Sequence, residues 1–374
     1  MVDLALKSLV HDKLRFAITI SGVAFAVALV FVQVGLFLGL LDNASVTIEH
    51  IDADLWVTSK NTPNIDFAHL FPESYINRVR SIDGVARADN LIIQFMDMNL
   101  PTGATESVET YALEDFAAWG IPWNLEEGRL DDLRRGDNFV LDASAVKRCG
   151  PFRIGDLREI LGRRMKVVGR SREALSFTTT PIAFIDYRVA QSMVDGLRGQ
   201  TTYIVVKLAA GADVEAVRAG IRKRLPFNDV FTRDEWARHS RAYWVESTGL
   251  GLNMILTVFL GCLVGVVVVA QTLYTSTMEH LREFGTMKAI GGSNFDIYTI
   301  LGKQALIAAI AGFFFGALMS YALRPAIAKI DLKLIIPPEL AIVVFFGAIA
   351  MCLASAMISF RKVARIDPAL VFRT

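Results

Sequence analysis

The sequence contains few cysteines. Its three cysteines, Cys149, Cys262 and Cys352, lie far apart and have no metal-ligand spacing. Cys262 and Cys352 fall in apolar runs, where a thiol behaves as a small hydrophobic group. Cys149 is then alone outside those runs, and we expect no internal disulfide bond.

Motifs for nucleotide or peptide-bond chemistry are missing as well. The sequence contains no G-x-x-x-x-G-K-[ST], no G-x-S-x-G and no H-E-x-x-H, so it lacks the phosphate loop, the nucleophile elbow and the zinc-protease motif. Ser144 and Lys147 match the S-x-x-K of penicillin-binding enzymes, but this pattern is short and its companion K-T-G is absent. We therefore expect no catalytic residue and no metal site. The scattered histidines are expected to be solvated or to cap helices: His11, His50, His69, His239 and His280.

The composition indicates a membrane protein. Of the 374 residues 53% are hydrophobic, and the mean hydropathy is +0.41, which is too apolar for an ordinary soluble enzyme. Because 21% of the residues are charged, the apolar residues must be concentrated in blocks. The formal net charge of +1 gives no reason to expect nucleic acid, because binding to it would need a basic face.

Four uncharged stretches are long enough to cross a hydrocarbon core of about 30 Å, which takes roughly 20 helical residues. They are residues 16–41, 247–278, 304–323 and 340–360. The first is too long for the apolar region of a signal peptide, so we expect it to remain as an anchor. Because no Asp, Glu, Lys or Arg lies in the middle of a predicted span, the sequence argues against a carrier with a charged ion relay.

Basic residues in the short segments predict the orientation, because Lys and Arg accumulate on the cytoplasmic side. Most of them fall on one side: Lys7, Lys13, Arg15, Arg282, Lys288, Lys303, Arg361, Lys362, Arg365 and Arg373. The short loop on the other side carries Arg324, Lys329 and Lys333. Both termini, including the start at 1–15 and the tail at 361–374, are therefore predicted to be cytoplasmic. Residues 42–246 are predicted to form an external domain.

Glycines four residues apart occur in three of the predicted spans. The pairs are Gly35 and Gly39, Gly261 and Gly265, and Gly312 and Gly316. Such pairs let helix backbones approach closely, which favours helix association in lipid. They predict a tight helix bundle or a dimer, although glycine is also common in transmembrane helices without this role.

The region between the first two spans alternates strand-like runs with amphipathic helices, which predicts an α+β domain with two subdomains. An α/β subdomain is expected from about 44–110 and 200–235, with strands at 52–59, 87–100, 201–209 and 229–232 and helices at 72–82 and 212–225. A strand-rich subdomain is expected to be inserted at 111–200, with strands at 139–142, 165–170 and 181–186. The predicted fold class is thus a four-span α-helical bundle with a large α+β extracytoplasmic domain between spans one and two.

The cytoplasmic segment 279–296 has the most informative pattern. The helix of span two is predicted to continue as far as Gly285. Gly291 and Gly292 then form a turn, and Ser293 and Asp296 form a capping box that begins the next helix. On pattern alone, a short amphipathic hairpin lying on lipid headgroups is an alternative.

This segment also resembles a known signature. Residues 279–291, Glu-His-Leu-Arg-Glu-Phe-Gly-Thr-Met-Lys-Ala-Ile-Gly, are similar to the E-x-x-R-E-[IF]-G-x-x-[RK]-A-[IL]-G of the MacB/FtsX-like permeases of ATP-binding-cassette (ABC) systems. The start at 4–15, the tail at 363–370 and the order of one span, a large domain and three spans also resemble that family. Residues 52–56 and 202–207 look closest to its DevC-like branch. Full MacB proteins carry a fused ATPase, so the resemblance implies that here the ATPase is a separate chain.

The resemblance implies which residues would contact an ATPase and which proteins would be partners of this chain. The residues that would contact the ATPase are Glu279, Arg282, Glu283, Gly285, Lys288 and Gly291. ATP and Mg²⁺ would be bound by the partner ATPase, and this chain would bind no cofactor. The expected partners are cytoplasmic ABC ATPase subunits, a second permease copy, a periplasmic adaptor of the membrane-fusion type and an outer-membrane channel. The expected location is the inner membrane of a bacterium.

The implied function is to transmit ATPase-driven motion to the external domain, and so to drive efflux of a lipid-like or amphipathic substrate. The alternative is an FtsX-like mechanotransmitter that transports nothing and regulates a periplasmic cell-wall hydrolase. A membrane-bound sensor would need a cytoplasmic output module, for which only short termini and one loop are present. A transmembrane enzyme would need catalytic residues, and we identify none.

Overall fold

The computed structural model describes residues 13–279, 286, 293–330 and 332–363. Contacts divide the chain into two units. The helical unit comprises residues 1–39 and 252–374, and the inserted domain comprises residues 40–251. Most of the predicted start, of the segment 279–296 and of the tail lies outside the described residues.

The described residues form ten α-helices and twelve strands. The helices are α1 (Lys13–Asn43), α2 (Val46–His50), α3 (Tyr75–Arg80), α4 (Ala145–Cys149), α5 (Tyr187–Met193), α6 (Val214–Arg224), α7 (Arg233–Glu246), α8 (Leu250–Glu279), α9 (Asn294–Ala328) and α10 (Pro338–Val363). The strands are β1 (Leu55–Ser59), β2 (Phe71–Pro72), β3 (Val85–Asn99), β4 (Thr105–Leu113), β5 (Leu125–Gly128), β6 (Asn138–Asp142), β7 (Leu157–Ile160), β8 (Arg163–Ser171), β9 (Ile182–Asp186), β10 (Gln200–Thr201), β11 (Tyr203–Leu208) and β12 (Asn228–Thr232).

Four helices, α1, α8, α9 and α10, are long and apolar enough to cross a membrane, which confirms the prediction of four spans. Their apolar parts are Phe16–Asn43, Leu250–Thr275, Phe295–Ala328 and Pro338–Met357. Helix α9 is longer than the predicted third span, since it begins at Asn294 and continues through Pro325. Lys303 and Arg324 therefore lie within this helix, although the sequence placed them outside the span.

The inserted domain is built on a ten-stranded sheet with the order β12-β1-β11-β3-β4-β9-β6-β8-β5, and β7 pairs with β3 and β8. The 15-residue strand β3 joins the two halves of this sheet. Residues 85–91 of β3 pair with β11, and residues 92–99 pair with β4. The two predicted subdomains therefore share one continuous sheet.

The first half of the sheet contains two split βαβ units, β1-α3-β3 and β11-α6-β12. In each unit a strand of the other unit lies between the two strands, which gives the antiparallel order of a ferredoxin-like fold. Helices α3 and α6 cover one face through Ile76, Val79, Val217 and Ile221. On the opposite face, side chains such as Trp56 and Tyr203 pack against Trp236 of α7. The first half is thus a sheet with apolar cores on both faces.

Strands predicted at 139–142, 165–170 and 181–186 are confirmed as β6, β8 and β9. The helix predicted at 72–82 is shorter, because Phe71 and Pro72 form a two-residue strand that pairs with β10 and α3 begins at Tyr75. Proline has no N–H to donate, so it fits such a short pairing at the edge of a structure.

Candidate functional site

The predicted ATPase-contacting residues lie at the limit of the described structure. Glu279 is the last residue of α8, and its side chain is exposed. The remaining predicted residues, Arg282, Glu283, Gly285, Lys288 and Gly291, lie outside the described residues. Their contact with an ATPase stays a prediction.

The helix that follows this segment begins as the sequence predicts. The backbone N–H of Asp296 donates to the Ser293 hydroxyl at 3.3 Å, and the N–H of Ser293 donates to the Asp296 carboxylate at 2.8 Å. This reciprocal pair is a capping box, so that prediction is confirmed. The segment thus lies between α8, described to Glu279, and α9, which begins at Asn294.

Helix α1 is approached closely by two of the predicted glycine pairs. A Cβ built at Gly261 of α8 would lie 2.7 Å from Leu29 Cδ2, and one at Gly265 would lie 2.9 Å from Ala26 Cβ. These distances are shorter than real Cβ contacts, so α8 and α1 pack together at positions where only glycine fits without a shift.

Helix α9 meets α1 in the same way. A Cβ at Gly312 would lie 2.5 Å from the Val23 side chain, and one at Gly316 would lie 2.7 Å from the carbonyl oxygen of Ala24. The second contact is with backbone, which cannot move aside as a side chain can. Close packing of α9 on α1 therefore depends on the absence of a side chain at Gly316.

The third pair lies on α1 itself and meets the segment before α10. A Cβ at Gly39 would collide with the carbonyl oxygen of Lys333, and one at Gly35 would lie 2.7 Å from Leu334 Cδ1. The N–H of Ile335 also donates to the carbonyl of Gly35 at 3.1 Å. All three pairs thus have contacts within one chain, and a role in dimer formation stays a prediction.

Replacing Gly316 by alanine is expected to destabilise the helical unit by about 1–3 kcal/mol, the usual cost of overpacking. The added methyl would collide with the Ala24 carbonyl, and this outweighs the gain of about 1 kcal/mol in helix propensity. The matched control is Gly347→Ala on α10, where a Cβ meets nothing within 4 Å. Helix melting followed by circular dichroism in detergent compares the two variants. Equal melting temperatures would contradict the packing argument.

A cluster in the inserted domain joins the end of α1 to α7. The Ser240 hydroxyl of α7 donates to the carbonyl of Ala44 at 2.8 Å. The Arg241 guanidinium donates to the Glu49 carboxylate at 2.7 Å. Trp244 stacks on Phe177 with 3.9 Å between ring centroids. We name these residues, with Leu40 and Leu41 that pack beside them, the base cluster.

The base cluster was not identified from the sequence. The signal that could have found it is the pair Tyr243-Trp244 shortly before a predicted span, because aromatic residues accumulate at membrane boundaries. The cluster connects the two chain segments that enter and leave the domain.

Two carboxyl groups are buried together in the core of the inserted domain. Asp66, in the loop after β1, is 5% exposed, and Glu109 on β4 is 0% exposed. Apart from each other, the described residues provide no hydrogen-bond donor to either Glu109 oxygen or to Asp66 Oδ2. Two carboxyls can hydrogen-bond each other only if one keeps its proton.

Burial controls how this pair titrates. It raises the pKa of Asp66 to about 6, although the hydrogen bond with Glu109 acts in the opposite direction. Burial, followed by the charge of Asp66 and the hydrogen bond with it, raises the pKa of Glu109 well above its usual value. Burial and then the two carboxylates raise the pKa of Tyr111, whose hydroxyl also bonds Thr47. Burial thus favours the protonated form of both carboxyls.

The S-x-x-K serine is engaged in a structural network. Its hydroxyl donates to Asp142 at 2.7 Å, and the same buried carboxylate accepts from the Ser171 hydroxyl and the Ala174 N–H, both at 3.0 Å. Asp142 thereby ties β6 to β8 and to the loop that follows. In the described part of the chain, no three His, Cys, Asp or Glu side chains are placed to hold a metal ion.

Two family descriptions match the chain. A MacB-like periplasmic core domain matches residues 16–224, which include α1 and most of the inserted domain. An FtsX-like permease C-terminal domain matches residues 255–368, which include the other three spans. Together the two matches include parts of both units described above.

Several known proteins are similar to the chain. An uncharacterized ABC transporter permease of Mycobacterium tuberculosis is 24% identical over 378 residues, covering 100% of this chain and 99% of that protein. The macrolide export ATP-binding/permease protein MacB of Agrobacterium fabrum is 23% identical, over 96% of this chain and 60% of its own length. The periplasmic region of MacB from Actinobacillus actinomycetemcomitans superposes with a TM-score of 0.41 and 15% identity, over 50% of this chain and 92% of that one.

These matches cover both units, and they agree with four spans interrupted by one α+β domain after the first. The family implies an ATPase as a partner, and the relatives that match over their full length are permeases. The inserted domain corresponds to a domain described as periplasmic, so the chain is a multi-pass membrane protein with an extracytoplasmic domain. The chain belongs to the MacB/FtsX-type family of ABC transporter permeases.

Proposed function

We propose that this chain is the permease subunit of an ABC export system that transmits ATPase-driven motion from the cytoplasm to the inserted domain. Two copies pair in the inner membrane of a bacterium, with all termini in the cytoplasm. The substrate is lipid-like or amphipathic and is taken up outside the membrane. It leaves through a periplasmic adaptor of the membrane-fusion type and an outer-membrane channel.

The base cluster is the observation that carries this proposal. The segment after α1 and helix α7 before α8 are joined by the Ser240–Ala44 hydrogen bond, the Arg241–Glu49 ion pair and the Trp244–Phe177 stack. Trp236 of the same α7 packs in the core under the sheet. A shift of the spans therefore reaches the sheet through packed side chains, which transmit displacement because protein interiors are dense.

The cytoplasmic end supplies the input in this proposal. Glu279, Arg282, Glu283, Gly285, Lys288 and Gly291 bind in a groove of the ATPase subunit. Their mixed charges provide specific pairing with a soluble partner, and their glycines allow a tight turn. ATP and Mg²⁺ are bound by that partner, and this chain acts without a cofactor of its own.

Export without a charged pathway is consistent with the membrane spans. The predicted middles of the spans contain no Asp, Glu, Lys or Arg, which leaves no proton or ion relay as an energy source. The similarity of residues 52–56 and 202–207 to DevC-like chains supports export over the alternative. In that alternative, an FtsX-like arrangement uses the same motion to switch a periplasmic cell-wall hydrolase.

The proposal is tested by measuring motion in the inserted domain. Spin labels at Asp195→Cys, a position with 93% of its side chain exposed, report the distance between two copies in a reconstituted complex with the ATPase. Trapping the ATPase with ATP and vanadate is expected to shift this distance distribution. The same labels in a Trp244→Ala variant, which removes the stack in the base cluster, are expected to respond less. An unchanged distribution in the wild-type complex would contradict transmission to this domain.

A further inference from the structure

The loop at 60–70, between β1 and β2, presents two large apolar side chains to the outside. Phe67 is 42% exposed and Leu70 is 43% exposed, whereas Ile65 and Phe71 nearby are buried. Leaving apolar area in water is unfavourable by about 25 cal/mol per Å², so an apolar environment around these two side chains would stabilise the protein.

This exposure is built into the loop by buried hydrogen bonds. The Tyr203 hydroxyl lies 3.1 Å from the Asn64 carbonyl oxygen and 2.9 Å from that of Ile65, and both distances are within hydrogen-bonding range. The Asn64 side chain accepts from the N–H of Phe67 at 2.8 Å. These hydrogen bonds fix the backbone of the loop against the core. They therefore also fix the position of Phe67 on the outer side of the loop.

Phe67 contacts two aromatic rings that lie only a few residues before the second span. Its ring centroid lies 6.1 Å from that of Tyr243 and 5.8 Å from that of Trp244. Trp244 is two residues before the end of α7, which is about 3 Å along a helix axis. The next apolar span begins at Leu250, four residues after Glu246, so at most about 14 Å of chain separates them. Leu40 and Leu41, which pack with Trp244, belong to the last turns of the first span.

We propose that Phe67, Leu70 and Tyr243 form a membrane-contact patch that inserts into the headgroup region of the outer leaflet. Aromatic side chains with an apolar ring and a polar edge are favoured at this depth, and Phe and Leu reach the upper acyl chains. The patch fixes the base of the inserted domain against the bilayer surface. This goes beyond the proposed transmission of motion and does not require it.

A lipid surface fits the patch better than a protein partner does. A stable protein interface buries about 800 Å² on each side, which is far more than two half-exposed side chains provide. The rings that Phe67 contacts, by contrast, belong to residues only a few positions before a span, so the chain itself keeps them near the bilayer.

The test uses the full chain in vesicles of phosphatidylethanolamine and phosphatidylglycerol that contain a phosphatidylcholine with a nitroxide near the headgroup. A variant without its native cysteines carries an environment-sensitive fluorophore at Phe67→Cys or at Leu70→Cys. The matched control is Val214→Cys. Val214, the first residue of α6, is also an exposed apolar residue, 37% exposed. It lines the same surface pocket as Arg233 and Asp234, the first two residues of α7. Helix α7 has 14 residues, so its first residues lie about 20 Å from its last turn, which contains Trp244.

We expect the nitroxide lipid to reduce fluorescence about twofold at Phe67 and Leu70, because side chains at headgroup depth come within its reach, with no change at Val214. No quenching at either position in a folded, monodisperse protein would overturn the proposal. Equal quenching at Val214 would also overturn it, since the dye itself would then be binding the membrane. Unquenched Phe67→Cys that crosslinks two chains would assign the patch to a second copy instead. If Phe67→Cys does not fold, Leu70→Cys decides the question.

Discussion

Replacing Glu283 by lysine is expected to lower permease-stimulated ATP turnover of the assembled complex by about tenfold or more, because a like-charge contact at a docked charge costs over 1.4 kcal/mol. Glu283 lies in the segment that resembles the ATPase-contacting signature. The reversal leaves the spans and the inserted domain untouched, so the chain should still insert and fold. ATP hydrolysis by the purified ATPase, with and without the permease, measures the effect.

The matched control for this charge reversal is Asp195→Lys, which changes an exposed carboxylate in the inserted domain. Its turnover should equal that of the wild type. If Glu283→Lys stimulates the ATPase as fully as the wild type does, the assignment of residues 279–291 to the coupling contact is wrong.

A second large effect is expected from the buried carboxyl pair. The stability of the inserted domain should fall as the pH rises above about 4, and Glu109→Gln should remove much of that slope. Because burial raises the pKa of Glu109, and of Asp66 to about 6, the folded domain retains protons that the unfolded chain has lost. Each retained proton costs about 1.4 kcal/mol of stability per pH unit.

The stability falls with rising pH because both pKa values are raised in the folded domain. The stabilising contribution of the pair is complete below the ordinary carboxyl pKa values of 3.8 and 4.5, and it is lost as the pH rises through the folded values. For Asp66 the loss takes place as the pH rises through about 6. For Glu109 it takes place above the ordinary carboxyl value, because burial raises its pKa. Glutamine cannot ionise and can still donate to Asp66, so Glu109→Gln should be more stable than the wild type at pH 8.

Tryptophan fluorescence measures this difference selectively, because all five tryptophans lie in the inserted domain. The control is Glu106→Gln, the same change on β4 at a side chain that is one-third exposed and paired with Arg148. That variant should keep the wild-type slope between pH 5 and 8. If the stability of the wild type and of Glu109→Gln changed with pH in parallel, the carboxyl pair would not be the source of the pH dependence.

Local patterns were sufficient to predict the spans and several elements of the inserted domain. Long uncharged runs predict transmembrane helices on length alone, and the Ser293–Asp296 capping box marks the start of α9. Helix α6 was predicted from Val217 and Ile221, which repeat at helical spacing and are buried in the structure. These features depend on neighbours in the sequence, so the sequence carries them directly.

Features that depend on distant contacts could not be predicted in this way. Strand β3 joins the two halves of the sheet only because β11, more than a hundred residues later, pairs with its first part. Glu109 and Asp66 are ordinary acidic residues in the sequence, and only the fold buries them together. The base cluster likewise combines Ala44, Phe177 and Trp244, which are separated by long stretches of chain.

The central claim, that this permease couples an ATPase to an external export path, is tested most directly by gentle purification of the tagged chain from native membranes, followed by mass spectrometry of the proteins recovered with it. The account predicts a soluble ABC ATPase together with a periplasmic adaptor. Recovery of an ATPase with a cell-wall hydrolase and no adaptor would favour the FtsX-like alternative. Recovery of no ATPase under mild conditions would contradict the proposed function.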